Sequence, residues 1–386
     1  AVMISFHDIG KIIMKFAIEL AFIGWAGLIG LAAQPAFARD YTLEEVVNGI
    51  DMPWGIAFLP DGDMLVTELS GQLRLIREGE LQPQPVAGVP ESYYAGQGGL
   101  MDILLHPDFA VNKLVYLSLA VGDRDANTLR VIRGRFNGAG LEDVETVFEA
   151  APTRDTPAHY GGRMTFLPDN TLLVTVGDGF DFREDAQNRA NHIGTIVRVS
   201  ETGKVPADNP YVDDPAALPE VWSYGHRNAQ SIIYDAGTDT VFQTEHGPRG
   251  GDELNIIEPA QNYGWPAITY GIDYSGLRIS PYTSYEGMKQ PLEYWDPSFG
   301  PSGMTVYRGG AFPDWDGDIF MTSLVFNHVI RVDMDGRVSG AQQILFDEIG
   351  ERLRDIRTGP DGALYILSEG TGAGDGRVWR VRATNR

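Results

Sequence analysis

The chain of 386 residues carries 53 acidic and 30 basic side chains, a formal net charge of -23. Because so acidic a protein repels phosphate backbones and anionic membranes, we expect no nucleic-acid partner. The sequence contains no cysteine, which excludes disulfides, thiolate zinc sites and a cysteine nucleophile.

The first predicted element is a signal peptide over residues 1–38. Lys11 and Lys15 precede the apolar run FAIELAFIGWAGLIGLAA, and AFA at residues 36–38 has the small-x-small form that a signal peptidase accepts. We therefore expect cleavage before Arg39 and a periplasmic or secreted protein.

Two features of this segment leave alternatives. Met14 would give a more ordinary signal peptide than Ala1, so the start of the segment is open. A membrane-spanning anchor is the other interpretation, but Glu19 interrupts the apolar run and the cleavable motif follows at once. We expect no stable membrane insertion after cleavage.

A short β module recurs from Tyr41 onward. Each copy has an apolar strand, a turn centred on Asp, Gly or Asn, and a second apolar strand that ends in a small or acidic residue. The copies begin at Trp54, Gly98, Gly161, Ala229, Ser302 and Leu353. Repeated four-stranded units that cannot bury both faces alone are typical of a β-propeller.

The modules predict an all-β fold, a six-bladed β-propeller with four-stranded antiparallel blades, built by residues 39–386 as a single domain. We expect YTLEEVV, near the start of this range, to pair with RVWRVRA near its end. That pairing would complete the last blade, close the ring and remove exposed sheet edges.

Polar side chains stand just before the first strands of these modules. First strands line the channel of a propeller, so these side chains should converge there, and they include Gln97, His159, Arg227, Asn228, Arg352 and Arg354. Guanidinium groups bind carboxylates in bidentate geometry, which predicts a pocket for a poly-carboxylate ligand. Neither a phosphate-binding loop nor a dinucleotide fingerprint is present.

The segment EHGPRGGDELN, residues 245–255, predicts a calcium site in the same region. Its glycines and proline expose backbone carbonyls, and Glu253 adds a carboxylate. Calcium prefers such hard oxygen ligands.

The motifs GQGGLMDILLHPDF, HYGGRMTFLPD, SYGHRNAQ, TEHGPRGGDELN, NYGWP and RLRDIRTGPDG occur in this order. They resemble the soluble quinoprotein sugar dehydrogenases, the glucose and aldose sugar dehydrogenase group that uses pyrroloquinoline quinone (PQQ). The resemblance covers nearly all of residues 41–386. It implies a six-bladed propeller, PQQ and Ca²⁺ as cofactors, and oxidation of the anomeric C1 hydroxyl of aldose sugars to lactones. A soluble electron acceptor would complete the cycle.

The resemblance also implies residue roles. His159 would be the base, and Arg227 would stabilise charge on the quinone oxygen. Contacts to PQQ would come from Gln97, Asn228, Tyr274, Arg352 and Arg354. The carbonyls of Gly247 and Pro248 would hold the calcium ion beside PQQ, and Glu253 and Tyr263 would bind a second, structural calcium ion.

Structural roles remain open for several of these residues. Arg352 and Arg354 could form surface ion pairs, and Arg227 and Asn228 could cap a loop. Glu253 could be a solvated charge, and Gln97 could be a turn amide. Tyr274 could fill the core, and His159 could be a polar loop residue. Gly161 and Gly162, which follow the histidine, are expected to leave room for a ligand against the backbone.

One position departs from the family pattern. Members usually place a lysine in the blade-five segment that reads IFMTSLVFNHVIRV here, and the matching position is Val325. Asn327 and His328 are the polar residues nearby. We expect weaker PQQ binding than in relatives.

Two other functions remain as alternatives. A calcium-dependent propeller hydrolase, such as a lactonase, would want several acidic side chains at the module entrances, which are basic and amide-rich here. A non-enzymatic binding propeller would keep the fold and lose the cofactor.

Overall fold

The computed structural model describes residues 40–384. The predicted signal peptide and its cleavage point before Arg39 lie outside these residues. The regular secondary structure of the described chain is almost entirely β-strand, with one α-helix, α1, at Phe109–Asn112 and 3-10 turns at Arg183–Gln187, Pro313–Trp315 and Asp347–Ile349. Between residues 40 and 384, no helix is long and apolar enough to cross a membrane.

The strands form six four-stranded sheets, as predicted. Blade 1 contains β2 (Pro53–Phe58), β3 (Met64–Glu68), β4 (Leu73–Arg77) and β5 (Glu80–Leu81). Blade 2 contains β6 (Leu100–Leu105), β7 (Leu114–Gly122), β8 (Asn127–Phe136) and β9 (Leu141–Glu149). Blade 3 contains β10 (Gly161–Phe166), β11 (Thr171–Val176), β12 (Thr195–Ser200) and β13 (Val221–Tyr224).

The second half of the ring repeats this plan. Blade 4 contains β14 (Ala229–Asp235), β15 (Thr240–Glu245), β16 (Asp252–Ile257) and β17 (Glu293–Trp295). Blade 5 contains β18 (Pro301–Val306), β19 (Ile319–Ser323), β20 (Val329–Asp335) and β21 (Val338–Leu345). Blade 6 contains β22 (Leu353–Thr358), β23 (Leu364–Ser368), β24 (Gly376–Ala383) and β1 (Tyr41–Ile50).

Blade 6 joins the two ends of the described chain. Tyr41 pairs with Ala383, and Ile50 pairs with Gly376, in an antiparallel ladder. The predicted closure is therefore confirmed, and the ring has no open edge at this point.

The turn that joins the first two strands of a blade carries its own sequence signal. In blade 3 the carboxylate of Asp169 accepts the backbone N–H of Thr171 at 3.0 Å, and Asn170 has a φ of 63°. Asp and Asn form such turns readily, because their side chains bond the local backbone and they tolerate left-handed φ. The turn fixes the register of the hairpin.

The first strands of adjacent blades, β2, β6, β10, β14, β18 and β22, contact one another in a closed ring. These strands are buried on both faces, and apolar side chains pack between blades. Tyr116 of blade 2, for example, meets Phe166 of blade 3 edge to face at 5.1 Å. The functional residues at the strand ends therefore stand on a rigid frame.

A charged network crosses the channel axis. Arg163 on β10 lies 3.2 Å from Asp102 on β6 and 3.2 Å from Asp355 on β22. Arg357 completes the set, at 3.3 Å from Asp102 and 3.2 Å from Asp355. Since β10 and β22 belong to opposite blades, the Arg163–Asp355 pair spans the channel. Two cations and two anions balance each other there, as buried charges require.

Candidate functional site

Two cavities lie among the residues that the sequence singled out. The first, which we call the channel cavity, has a volume of about 270 Å³ and is lined by Gln97, Asn228, Arg352, Arg354, Trp54 and Glu369, among others. The second, the outer cavity, also has about 270 Å³ and is lined by Arg227, Pro248, Tyr274, Phe180, Trp265 and Asp273, among others. Most of the predicted cofactor contacts therefore line one of two cavities.

His159 contacts residues that line each of the two cavities. Its backbone N–H donates to Oε1 of Gln97 at 2.8 Å, and its ring meets Phe180 edge to face at 5.1 Å. Gln97 lines the channel cavity and Phe180 lines the outer one. His159, 4% exposed, therefore contacts one lining residue of each cavity, through its backbone on the channel side and through its ring on the outer side.

Asp178 fixes the tautomer of His159. Nδ1 of His159 lies 2.6 Å from Oδ1 of Asp178, and the other carboxylate oxygen accepts the indole N–H of Trp265 at 2.8 Å. Burial alone would raise the pKa of Asp178, but the hydrogen bond from His159 holds that pKa below its usual value. An ionised carboxylate only accepts hydrogen bonds, so Nδ1 carries the proton and Nε2 keeps its lone pair.

The imidazole itself is held neutral. Burial lowers the pKa of His159, and the nearby cation Arg227 acts in the same direction, whereas Asp178 opposes both. A neutral imidazole with a fixed tautomer can accept a proton at Nε2 across the physiological pH range.

Backbone conformation and close packing explain why glycine occupies positions 161 and 162 after His159. The residues His159, Gly161 and Gly162 all have positive φ, at 48°, 70° and 88°. A Cβ on Gly161 would meet the carbonyl oxygen of Thr175 at 2.7 Å, and one on Gly162 would meet Met101 at 3.2 Å. Close packing against the neighbouring protein thus requires both glycines, and Gly161 also lines the channel cavity, where it leaves space beside the backbone.

Arg227 is buried and holds the loop after β15. Its Nη1 donates to the carbonyl oxygens of His246 at 3.2 Å and Gly247 at 2.6 Å, and its guanidinium lies 5.3 Å from the ring centroid of Trp265. Arg227 thus has the structural role that the sequence left open, and it also lines the outer cavity.

Arg352 and Arg354 are both paired with a carboxylate that the sequence analysis had missed. Oε2 of Glu369 lies 2.9 Å from Nε of Arg352, and Oε1 lies 2.7 Å from Nε of Arg354. Arg354 is only 8% exposed, so its pair is no surface ion pair. The three side chains leave one net positive charge in the channel cavity.

Tyr274 is 60% exposed, which rules out the core role considered for it. Its ring stacks on Phe180 at 6.2 Å, with an interplanar angle of 19°. The pair forms an aromatic wall of the outer cavity.

The residues assigned to calcium line one small cavity, with Gly247, Pro248, Glu253, Tyr263 and Glu245 among them. Glu245 and Glu253 face each other in the ladder between β15 and β16. Burial raises the pKa of Glu253 to about 8, and the neighbouring Glu245 carboxylate adds to this effect. Burial and the Glu245 carboxylate therefore disfavour the charged form of Glu253.

Other atoms near this cavity are arranged to suit a cation. The amide nitrogen of Asn255 donates to Glu245 at 3.3 Å and to Glu253 at 3.2 Å. Its buried oxygen has no hydrogen-bond partner among residues 40–384. The hydroxyl of Tyr263 donates to the carbonyl of Ile256 at 2.6 Å. Oxygen atoms that could bind a cation are thus present, but the hydroxyl of Tyr263 already donates to Ile256.

Val325 lies in the loop between β19 and β20 and is 56% exposed. Its neighbour Leu324 lines the channel cavity. The nearby Asn327 donates to the carbonyl of Gly350 at 3.3 Å, and His328 is 9% exposed. A cation at position 325 would stand beside the channel cavity.

The sequence analysis missed the carboxylates Asp178, Glu245 and Glu369. All three lie at or just after the end of the second strand of a blade. Because first and second strands are antiparallel, the start of one and the end of the other share the same end of the blade. Gly161 pairs with Val176, for example. The acidic residues that end the modules were the sequence signal from which these three carboxylates could have been predicted.

Comparisons with known proteins agree with this architecture. Residues 50–380 match the family model described as glucose/sorbosone dehydrogenase. The aldose sugar dehydrogenase YliI of Escherichia coli is 39% identical over 335 residues, which cover 85% of this chain and 90% of that protein.

Solved structures give the same result. The soluble aldose sugar dehydrogenase of Escherichia coli in its apo form has a TM-score of 0.85 at 36% identity, over 89% of this chain and 100% of that one. The PQQ-bound aldose sugar dehydrogenase of Streptomyces coelicolor has a TM-score of 0.73 at 27% identity, over 89% and 98%.

Proposed function

Because the chain belongs to the glucose/sorbosone dehydrogenase family, we propose that it is a PQQ-dependent dehydrogenase that oxidises the anomeric C1 hydroxyl of aldose sugars to lactones. The observation that carries this proposal is the 2.6 Å contact between His159 and Asp178, next to Phe180 and Trp265 of the outer cavity. The arrangement suits a base that works on a substrate in one cavity beside a cofactor in the other.

The channel cavity suits PQQ, a flat aromatic molecule with three carboxylates. Its guanidinium groups, Arg352 and Arg354, match carboxylates in geometry and charge. Trp54, Leu69 and Met101 supply apolar surface for a ring system, and Gln97 and Asn228 supply amides. When bound there, PQQ would accept the hydride from the sugar.

His159 performs the proton transfer in this proposal. Nε2 takes the proton of the C1 hydroxyl as the C1–H bond breaks. Nδ1 keeps its own proton, which stays hydrogen-bonded to Asp178. The Asp178 carboxylate stabilises the imidazolium that forms, as the carboxylate does in other His–Asp pairs. The product is the lactone.

Arg227 assists by electrostatics. Its guanidinium is already fixed by two backbone carbonyls, so no reorganisation is needed when negative charge develops nearby. Tyr274 and Phe180 would hold the sugar or the edge of the cofactor against their stacked rings.

In this proposal calcium binds in the small cavity that Arg227 also lines, and the carbonyl of Gly247 serves both the ion and the Arg227 guanidinium. The carbonyls of Gly247 and Pro248 would hold the ion beside PQQ, where it would act as a Lewis acid. The raised pKa of Glu253 supports a second ion, since a cation would compensate the paired carboxylates. Tyr263 would contribute through its backbone carbonyl, because its hydroxyl is engaged.

The two alternatives fit the structure less well. A calcium-dependent hydrolase needs a set of acidic ligands at the channel, yet residues 40–384 contain no group of three or more His, Asp or Glu side chains placed to hold a metal ion. A binding propeller has no need for a buried His–Asp pair. We extend the proposal to a soluble electron acceptor and a periplasmic or secreted location.

Reconstitution tests the proposal. The purified chain, supplied with PQQ and calcium, should gain a visible absorption band and convert an aldose to its lactone with an artificial acceptor. In His159→Gln, PQQ binding should persist while kcat falls by about 10²–10⁴, the usual loss for a general base. Turnover by the holo fraction of this variant within about threefold of wild type would contradict the role of His159.

A further inference from the structure

Arg154 is a buried cation close to the proposed base, and the proposed reaction gives it no role. The residue is 3% exposed, and its backbone N–H and C=O pair with Asn127 at the start of β8. Its guanidinium lies 5.2 Å from the ring centroid of Tyr160, but it forms no ion pair with a carboxylate of residues 40–384. One of its nitrogens, Nη2, is buried without a hydrogen-bond partner in the same range. Because an unpaired buried charge is costly, stability alone does not explain an arginine here.

The other terminal nitrogen of Arg154 bridges the two loops that carry the His159–Asp178 pair. Nη1 donates to the carbonyl oxygen of His159 at 3.2 Å and to that of Gly177, the residue before Asp178, at 3.1 Å. A terminal guanidinium nitrogen has two hydrogens, so it can make both bonds at once, and its charge strengthens each. The separation of His159 and Asp178 therefore depends on this guanidinium.

Arg154 also supports a backbone conformation that His159 would otherwise avoid. The φ of His159 is 48°, in the left-handed region that residues with a side chain rarely adopt. Its N–H donates to Gln97 and its C=O accepts from Arg154, so neighbouring side chains fix both backbone groups. Such a conformation persists only where the surrounding contacts determine it.

Thr156, two residues further along the same loop, makes a second link. Its hydroxyl donates to the carbonyl oxygen of Gly179, the residue after Asp178, at 2.6 Å. Gly179 has a φ of 67°, and a Cβ there would meet Cδ of Arg154 at 2.6 Å. Glycine at position 179 therefore leaves the space that the arginine side chain occupies. Arg154 and Thr156 together hold the backbone on both sides of Asp178.

From this geometry we infer that Arg154 and Thr156 are positioning residues, which clamp the loop before β10 to the loop after β11 and so set the hydrogen bond between His159 and Asp178. The described linings of the outer and channel cavities include neither Arg154 nor Thr156. The clamp thus acts through the His–Asp pair and not on a ligand. The inference rests on the proposed function only where it concerns turnover.

Nitrogen NMR of the histidine side chains tests the clamp without turnover. Spectra of the purified chain are recorded with and without PQQ and calcium, and His159 is the signal lost in His159→Gln. The wild type should show the proton on Nδ1 alone. Arg154→Met removes the clamp and a charge, whereas Thr156→Val changes no charge and keeps the size of the side chain. Both variants should add a measurable share of the second tautomer.

Two NMR results would overturn the inference. One is a wild-type tautomer in both variants. The other is a change in Arg154→Met alone, which would mean that the charge acts and the clamp does not. If Arg154→Met fails to fold, Thr156→Val decides alone, because it removes one partly buried hydrogen bond.

Kinetics measures what the clamp contributes to the rate. Per PQQ-loaded molecule, kcat should fall by about 10- to 100-fold in Arg154→Met, the usual cost of misplaced reacting groups. In Thr156→Val it should fall by about three- to tenfold, the value of one hydrogen bond. KM for the sugar should stay within about twofold in both, since neither side chain lines a cavity.

The matched control is Arg198→Met. Arg198 is a buried arginine of the same blade, 4% exposed, but it pairs with Asp169 and Asp208 beyond the opposite end of β11. This variant should melt at a lower temperature with kcat and the His159 tautomer unchanged. If glucose is oxidised and both clamp variants keep the wild-type kcat, the inference fails and the proposed function stands. If no aldose is oxidised, the proposed function fails, and the tautomers still decide on the clamp.

Discussion

The carboxylate of Glu369 holds the guanidinium of Arg354 by two contacts, with Oε1 2.7 Å from Nε and 2.5 Å from Nη2. A carboxylate ligand that binds Arg354 must therefore compete with a carboxylate of the protein itself. Glu369 both neutralises a buried cation at the channel cavity and reduces the attraction of that cation for anions.

Replacing Glu369 should therefore have opposite effects on stability and affinity. In Glu369→Gln, one negative charge leaves the cavity, and PQQ should bind about tenfold more tightly, as expected for a gain of one charge-assisted contact. Without PQQ the variant should melt at a lower temperature, because Arg354 is left buried and unpaired. Fluorescence titration and thermal melting measure the two effects. The control Glu149→Gln breaks an exposed pair with Arg130 and should change neither. Weaker PQQ binding in Glu369→Gln would contradict the competition.

Asp178 should matter for rate rather than for cofactor binding. In Asp178→Asn, an amide can no longer fix the proton on Nδ1 of His159, so we expect kcat to fall by about 10²–10⁴. PQQ affinity should stay near the wild-type value. The control Asp125→Asn lies in an exposed turn and should leave both parameters unchanged.

The pH profile distinguishes this role from a general loss of structure. Burial lowers the pKa of His159, so wild-type kcat/KM should fall only as the pH drops below 6.5 and the base is protonated. Removing the Asp178 carboxylate removes the main interaction that favours the charged imidazole. The acid limb of Asp178→Asn should therefore move to still lower pH, and a limb at higher pH would contradict the pairing.

Glu253 should make the calcium-free protein sensitive to rising pH. Its pKa in the folded chain is raised from 4.5 to about 8, so the folded state binds the proton more tightly than the unfolded state does. The stabilisation from this group is complete below pH 4.5 and is lost as the pH rises towards 8. Glu253→Gln should flatten this loss in melting experiments with a chelator, whereas Glu91→Gln, an exposed site, should not.

Calcium should also change the stability of the folded protein through Glu253. Added calcium at about one hundred times its dissociation constant should stabilise the wild type by about 2.7 kcal/mol through mass action. Glu253→Gln should lose much of this gain. Equal melting temperatures of the wild type with chelator and with millimolar calcium would contradict the proposed calcium site at Glu253.

A lysine at position 325 should supply the cation that the family resemblance implies at this position. Val325→Lys places an ammonium group beside Leu324 and the channel cavity, and it should tighten PQQ binding by about ten- to a hundredfold, the value of one charged hydrogen bond. The control Val338→Lys adds the same charge at an exposed position of β21. Equal affinities of the two variants would show that net charge, and not position 325, governs binding.

The repeated modules were sufficient to predict the fold. Blade number, strand pairing and the closure between Tyr41 and Ala383 all follow from periodic apolar strands separated by turn residues. These signals are local, so they can be recognised without knowing what packs against them.

The site was only half predictable. Residues before the first strands were recognised, because the channel-lining role of those strands is a general property of propellers. Their partners Asp178 and Glu369 come from elsewhere in the chain, and the residues at the module entrances alone suggested a basic, amide-rich pocket. Which acid pairs with which base depends on side-chain distances, which the strand pattern does not contain. The positive φ of His159 was equally inaccessible, since the strand pattern contains no information on the backbone conformation of the loop before β10.

The ion pair between Arg163 and Asp355 has a consequence for the order of events during turnover. Because it joins opposite blades across the axis, large molecules can reach the channel cavity from one face of the propeller only. Sugar and electron acceptor must then use the same opening in succession. Double-reciprocal plots of rate against sugar at several acceptor concentrations should therefore be parallel lines, and excess sugar should inhibit by blocking the acceptor.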